Sequence, residues 1–400
     1  MKAKLALTAL AGLAASSAPG ADGPTAGGGT CTRAAAGSAG IAVRTARAGL
    51  MAIPPEDADT SVAPSTGERI EAVKDRLRVF VQAMMACAPA SVEPAALAAA
   101  MAQRGNASAA IASNHADPPE LDRHGDWLTY EVSRVEAHPD MLAVVATLGI
   151  RCGSDSILML YRREGTRWRE LMVRRALPYK EASGGWQDLR FAVSPPGGDG
   201  RWFVATVSTT PWCSSSWQGL RYALARPAED PGRPNVFLDE KTTTWLGSEE
   251  ERLVRAERDS FELRHVAGSI DPAVHNRRHV RRYAVSGNSA RRVPPVAESL
   301  RDFVDEWIVS PWTEAKGWSG QDPELVRIHA RLHSDRYPLL GEYASIRACG
   351  GGLTQIEIGS DEGPGWFFRA RGDVDGPWTL ERVARRGSAD CSGPNRLRKE

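Results

Sequence analysis

Three tyrosines in the middle of the chain stand at equal intervals: Tyr161, Tyr222 and Tyr283 are 61 residues apart at each step (222 − 161 and 283 − 222). They sit in Ser156-Ile157-Leu158-Met159-Leu160-Tyr161, Leu220-Arg221-Tyr222-Ala223-Leu224 and Arg281-Arg282-Tyr283-Ala284-Val285, runs of the composition that strands favour. Cys152 and Cys213 each precede their tyrosine by nine residues, and Val274 holds that place in the third copy. A tandem repeat of this length constrains the fold, because each unit must bury its apolar face against a neighbour.

The flanking sequence supports the repeat. Four short runs rich in Val, Ile, Leu, Tyr and Trp, broken by Gly and Pro, fall at 127–132, 141–150, 157–162 and 168–173. The order recurs at 189–193, 202–207, 219–224 and 235–238, then more faintly at 252–256, 261–266, 279–285 and 290–293. The prediction is a mainly β protein of antiparallel, propeller-like or prism-like four-stranded repeats spanning residues 120–297. An N-terminal helical hairpin is expected over 65–106. There Ser65-Thr66-Gly67-Glu68 fits a capping box, and Ile70, Val73, Leu77, Phe80, Val81 and Met84 form one apolar stripe. A C-terminal α+β module is expected over 298–400. Leu300, Phe303, Val304, Trp307 and Ile308 mark a helix, Asp322-Pro323 opens another, and four strands follow that are either a separate sheet or a fourth repeat.

The start of the chain reads as an export signal at residues 1–20: Lys2 and Lys4, an apolar stretch from Leu5 to Ala15 too short to span a bilayer, then small residues. Residues 21–64, rich in Ala, Gly, Ser, Thr and Pro, are expected to be a disordered linker. Six cysteines suit an oxidising compartment, and periplasmic or secreted localisation is predicted. The repeat makes Cys152–Cys213 the most economical disulfide, Cys349–Cys391 then staples the C-terminal module, and Cys31 and Cys87 are left to pair or stay free.

Chemistry is sparsely marked. Fifty basic side chains against forty-nine acidic ones give a net charge of +1, so no global field recruits nucleic acid, and no segment predicts a transmembrane span. No cofactor motif is present: the glycine triplets at 27–29 and 350–352 lack the lysine and strand-to-helix context of a phosphate loop. His329 and His333, four apart on a predicted helix with Asp335 beyond, have the spacing of metal ligands but lack the glutamate of the protease motif, so packing is the favoured reading. Asp155 and Asp271 precede the third strands of their repeats, where turn capping is the simplest role. Trp186, Trp212 and Trp217 lie among small polar residues and can stack on sugar rings or pack over a disulfide. In 275–282, strand alternation sends Arg278 and Arg282 to one face, a candidate anion contact, and His279 and Arg281 to the other. The expectation is an exported non-catalytic binding or scaffold protein for a glycan or an extracytoplasmic protein. The alternative is a secreted hydrolase acting on polysaccharide or cell wall.

Overall fold

The computed structural model of the protein describes residues 33–53, 63–106, 123–177, 184–211, 215–248, 251–272, 274–335, 339–360, 363–373 and 376–397. The expected export segment, Cys31, Trp212 and Cys213 lie outside them.

Helices α1 (Arg33–Met51), α2 (Pro64–Cys87) and α3 (Pro94–Asn106) come first. α1 corrects the linker expectation. Composition misleads here because the helix packs through small residues: Ala36, Gly40, Val43, Arg47 and Leu50 are buried at helical spacing. A Cβ on Gly40 would stand 3.0 Å from the Arg104 carbonyl, so a larger residue fits only if that backbone shifts by a few tenths of an ångström. Arg47 then anchors the helix, donating to the carbonyls of Gly125 and Asp126 and, at 3.1 Å, to Asn106 Oδ1. The capping box is not used either: α2 begins at Pro64 with Ala63 as its cap, and the ring of Pro64 presets the first helical φ in place of a side-chain bond.

The repeats are three antiparallel meanders. β1 (Leu128–Val135), β2 (His138–Ile150), β3 (Gly153–Glu164) and β4 (Arg167–Arg175) make the first sheet. β5 (Gln187–Val193), β6 (Val204–Thr209), β7 (Trp217–Arg226) and β8 (Asn235–Trp245) make the second. β9 (Leu253–Ala256), β10 (Ser260–Gly268), β11 (Asn276–Ser286) and β12 (Ser289–Val293) make the third. Alternation along each strand stacks the layers. On β3, Ile157, Met159 and Tyr161 pack against the helices while Leu158 and Leu160 pack against the second sheet. On β7, Leu220, Tyr222 and Leu224 meet Phe261, Leu263, Tyr283 and Val285 of the third sheet. Each such side chain contributes about 1.5–3 kcal/mol on burial.

The tyrosines are register equivalents on the third strand of each sheet. Tyr161 faces Glu170 on β4, Tyr222 faces Glu240 on β8, and Tyr283 faces Arg292 on β12.

The chain ends in α4 (Leu300–Val309), α5 (Trp312–Ala315), α6 (Glu324–Ser334) and a fourth meander of β13 (Tyr343–Ala348), β14 (Leu353–Ile358), β15 (Trp366–Arg371) and β16 (Thr379–Ala384). Its core is its own: Phe303, Trp307, Leu325 and Leu332 of the helices cover Ile356 and Phe368 of the sheet. A disulfide joins Cys349 to Cys391 and ties the tail to the end of β13. Cys87 and Cys152 are also disulfide-bonded, but the partners considered for them, Cys31 and Cys213, lie outside the described residues.

Candidate functional site

β11 carries two differently used faces. Its odd-numbered residues Tyr283 and Val285 pack on the second sheet, while nearer the strand's start Arg277 and His279 meet α4 instead. The apolar stripe of α4 is buried in the C-terminal core, which leaves Glu306, itself buried, to face the third sheet. Its Oε2 accepts from Arg277 Nη2 at 2.8 Å and lies 3.0 Å from His279 Nε2. Its Oε1 accepts from Arg292 and, at 2.9 Å, from Ser310 Oγ. Burial alone would raise the Glu306 carboxyl, but the Arg292 and Arg277 guanidiniums, with His279 in hydrogen-bond reach, outweigh it and hold the group well below the usual carboxylate range. Burial drives the His279 imidazole well below its ordinary value, despite the opposing pull of Glu306. Glu306 is therefore ionised and His279 neutral.

A second network lies alongside. Tyr222 and Tyr283 hydroxyls are 2.9 Å apart and both donate to Glu240 Oε2, and Arg281 Nη1 donates to the Tyr222 hydroxyl at 3.0 Å. On β10, His265 stands opposite His279 with ring centres 4.9 Å apart, and burial with Arg281 nearby pushes it down to about 3.

Arg277, His279, Arg281, Arg292 and Glu306 wall a hollow of about 410 Å³, bounded also by Thr242, Thr243, Ser269 and Glu314. Three buried nitrogens on its lining residues, Arg281 Nε, Arg292 Nε and His279 Nδ1, have no hydrogen-bond partner among the described residues. A wider hollow of about 1140 Å³ shares Thr243 and Gly268–Ile270 as a common wall and is lined further by Trp217, His275 and Tyr343. Trp217 stands opposite Trp245 on β8, edge to face with ring centres 4.9 Å apart. The pair of hollows forms a cleft between the second and third sheets and the C-terminal module, aromatic at one end and cationic at the other.

The candidates read from sequence are scattered about this cleft. Trp217 lines it. Trp186 is buried, with Arg174 5.9 Å above its ring, so its indole is packed and offers no open face. Arg278 and Arg282 occupy the opposite face of β11 from the cleft: Arg278 pairs with Glu298 at 3.4 Å and Glu251 at 3.5 Å, and Arg282 donates to Glu262 at 2.7 Å. That face is neutralised by Glu262 across the hairpin and by Glu251 and Glu298 from outside it. His329 Nε2 lies 3.0 Å from the Trp307 carbonyl and His333 Nδ1 2.9 Å from that of Ile308, so the two stacked rings cap the end of α4. Asp335 is the exposed C-cap of α6. Asp155 is buried against Lys74 at 2.9 Å, and Asp271 accepts from the Tyr343 amide at 3.1 Å.

Sequence reasoning missed Arg277, Arg292, His265, Trp245 and Glu306 as a group. The odd-numbered alternation of 277–283 was a readable signal, whereas nothing local links Glu306 to β11.

No family model matches the chain and no curated protein is similar to it. Among solved structures, an α-L-arabinofuranosidase of Podospora anserina, in complex with cellotriose, aligns at 11% identity over 66% of this chain and 69% of that one, with a TM-score of 0.22. At so loose a superposition, neither fold nor chemistry passes from one protein to the other.

Proposed function

We propose that the protein is an exported binding protein that takes a carbohydrate in the cleft between the second and third sheets and the C-terminal module. The observation that carries the reading is Trp217, half-buried at the edge of the wide hollow and held edge to face by Trp245. An indole so placed offers a rigid apolar surface to a sugar ring, with hydroxyls and backbone around it for orientation. Of the carboxylates that line the cleft, Glu306 is committed to buried ion pairs, Glu314 to Arg292 and Asp271 to the Tyr343 amide, which favours binding over catalysis and leaves Glu342 as the remaining acid. Export is supported by the basic and apolar pattern of residues 1–20 and by the Cys349–Cys391 disulfide. Among the described residues, no helix is long and apolar enough to cross a membrane.

The test is retention on immobilised polysaccharides run beside a reducing-end assay. Trp217→Ala is expected to weaken retention about tenfold, the scale of one lost aromatic contact, while the melting temperature moves little. New reducing ends would replace the binding reading with the hydrolase alternative. A large loss of stability with unchanged retention would make Trp217 a packing residue.

A further inference from the structure

The inner hollow has a chemistry that a neutral sugar does not use. Arg277 is spent on its surroundings: Nε donates to the Gly268 carbonyl at 3.1 Å and Nη2 to Glu306. Arg292 gives Nη1 to Glu314 and Nη2 to Glu306, and Arg281 gives Nη1 to Tyr222. Arg281 Nη1 also lies 3.5 Å from Glu240 and Arg292 Nη2 3.0 Å from His279 Nε2, and each of the two side chains carries a buried Nε–H with no acceptor among the described residues. Such donors are costly to leave unmet, and an oxyanion satisfies both. His279 Nε2 lies 3.0 Å from both Glu306 Oε2 and Arg292 Nη2, and its buried Nδ1 has no partner among the described residues, so Nδ1 is a further polar group for a ligand to meet. A volume of about 410 Å³ lies at the lower end of the roughly 300–1,000 Å³ range of ligand pockets and suits a single sugar unit.

We infer that the inner hollow is an oxyanion subsite, so that the ligand of the cleft is an acidic glycan whose uronate carboxylate or sulfate ester enters between Arg281 and Arg292. This rests on the carbohydrate reading of the cleft. The wide hollow holds the neighbouring sugar on Trp217, and the common wall at Gly268–Ile270 sets the distance between ring stacking and anion capture.

Calorimetric titration of the full chain with trigalacturonate, a sulfated galactotriose, neutral galactotriose and inorganic sulfate tests the inference. At least one acidic trimer is expected to bind about tenfold or more tightly than the neutral one, the scale of a charge-assisted hydrogen bond, and the arm that shows the preference identifies the oxyanion. Arg281→Gln should bring acidic and neutral trimers to within about twofold of each other, and Glu314→Gln, which releases Arg292 Nη1, should tighten the acidic trimer about threefold or more. Equal binding of all trimers, unaltered by Arg281→Gln and Glu314→Gln but weakened by Trp217→Ala, overturns the subsite and leaves the cleft as a neutral-sugar site. Inorganic sulfate binding that Arg281→Gln abolishes, with no trimer bound, keeps the subsite and overturns the carbohydrate reading instead.

Discussion

Replacing Glu306 by glutamine removes one charge and leaves the shape of the side chain almost unchanged, so its cost measures how far the join between the third sheet and α4 depends on that charge. The carboxylate is buried and takes Arg277, Arg292 and Ser310 at once, with His279 at 3.0 Å. Removing one partner of a buried ion pair costs about 3–5 kcal/mol, because the other charges stay desolvated. The lower end applies here. Arg292 keeps Glu314, and Arg277 keeps the Gly268 carbonyl and Asp305 at 3.6 Å. A loss of about 3 kcal/mol lowers the midpoint of a urea transition by about 1 M at a slope near 3 kcal/mol/M. Trp307 follows Glu306 on the same helix, which makes tryptophan emission a direct probe of that transition. Glu314→Gln is the internal control: its side chain is 38% exposed, and breaking its contact with Arg292 should cost under about 1 kcal/mol. A Glu306→Gln loss below about 1 kcal/mol, or one matched by Glu314→Gln, refutes the reasoning.

Two further outcomes are expected. Burial pushes the Asp305 carboxyl up to about 6 despite Arg277, Tyr343 and Ser269, so the folded state holds a proton that the unfolded chain releases near 4. That contribution is present below about pH 4 and is lost as pH rises through about 6. The stability of the wild type relative to Asp305→Asn, measured by urea titration, should therefore fall by about 2–3 kcal/mol from pH 4 to pH 7; a flat difference sinks the assignment. Lys74, fully buried on α2, pairs with Glu71 at 2.5 Å and Asp155 at 2.9 Å. Lys74→Met should cost about 3–5 kcal/mol, and adding Asp155→Asn should cost clearly less than the two singles together; strict additivity refutes a direct pair.

The sheets were legible because period-two alternation and a tandem repeat are written in nearby residues: Ile157, Met159 and Tyr161 declare one face and Leu158 and Leu160 the other before any partner is known. α1 was not legible. A helix that packs through Gly40 and Ala36 shows its worth only against Phe80 and Arg104, which come much later in the chain. The site was half legible for the same reason. Trp217 and the basic run 275–282 stand out locally, but the face of β11 that matters is decided by α4, which offers Glu306 to Arg277 and His279 and leaves Arg278 to Glu298 and Arg282 to Glu262. Charge density flagged the strand, and only tertiary packing distinguished its faces.

The equal spacing of the tyrosines hides unequal chemistry, and one substitution made three times exposes it. Opposite Tyr161 and Tyr222 the fourth strand carries Glu170 and Glu240; opposite Tyr283 it carries Arg292. Tyr283 therefore reaches back to Glu240 of the preceding sheet, at 2.7 Å, and Arg292 turns to Glu306 on α4. The cationic hollow opens where this repeat pairing breaks. Tyr161→Phe should be the mildest change, under about 1 kcal/mol, because its hydroxyl sits 3.4 Å from a Glu170 already held by Arg78 and by Gln82 at 2.9 Å. Tyr283→Phe removes two contacts, to Glu240 and to Tyr222, and should cost about 1.5–2 kcal/mol. Tyr222→Phe strips Glu240 and Tyr283 of a shared hydroxyl and leaves Arg281 Nη1 only its longer contact with Glu240 at 3.5 Å, so it should cost the most, about 2–3 kcal/mol. Because Arg281 also walls the hollow, Tyr222→Phe alone of the three should alter oxyanion affinity. Urea transitions of the three variants, with sulfate titrations beside them, decide it. Three equal costs, or Tyr161→Phe the largest, would mean that the tyrosines act as repeated packing units and that the divergence at Arg292 carries no energetic weight.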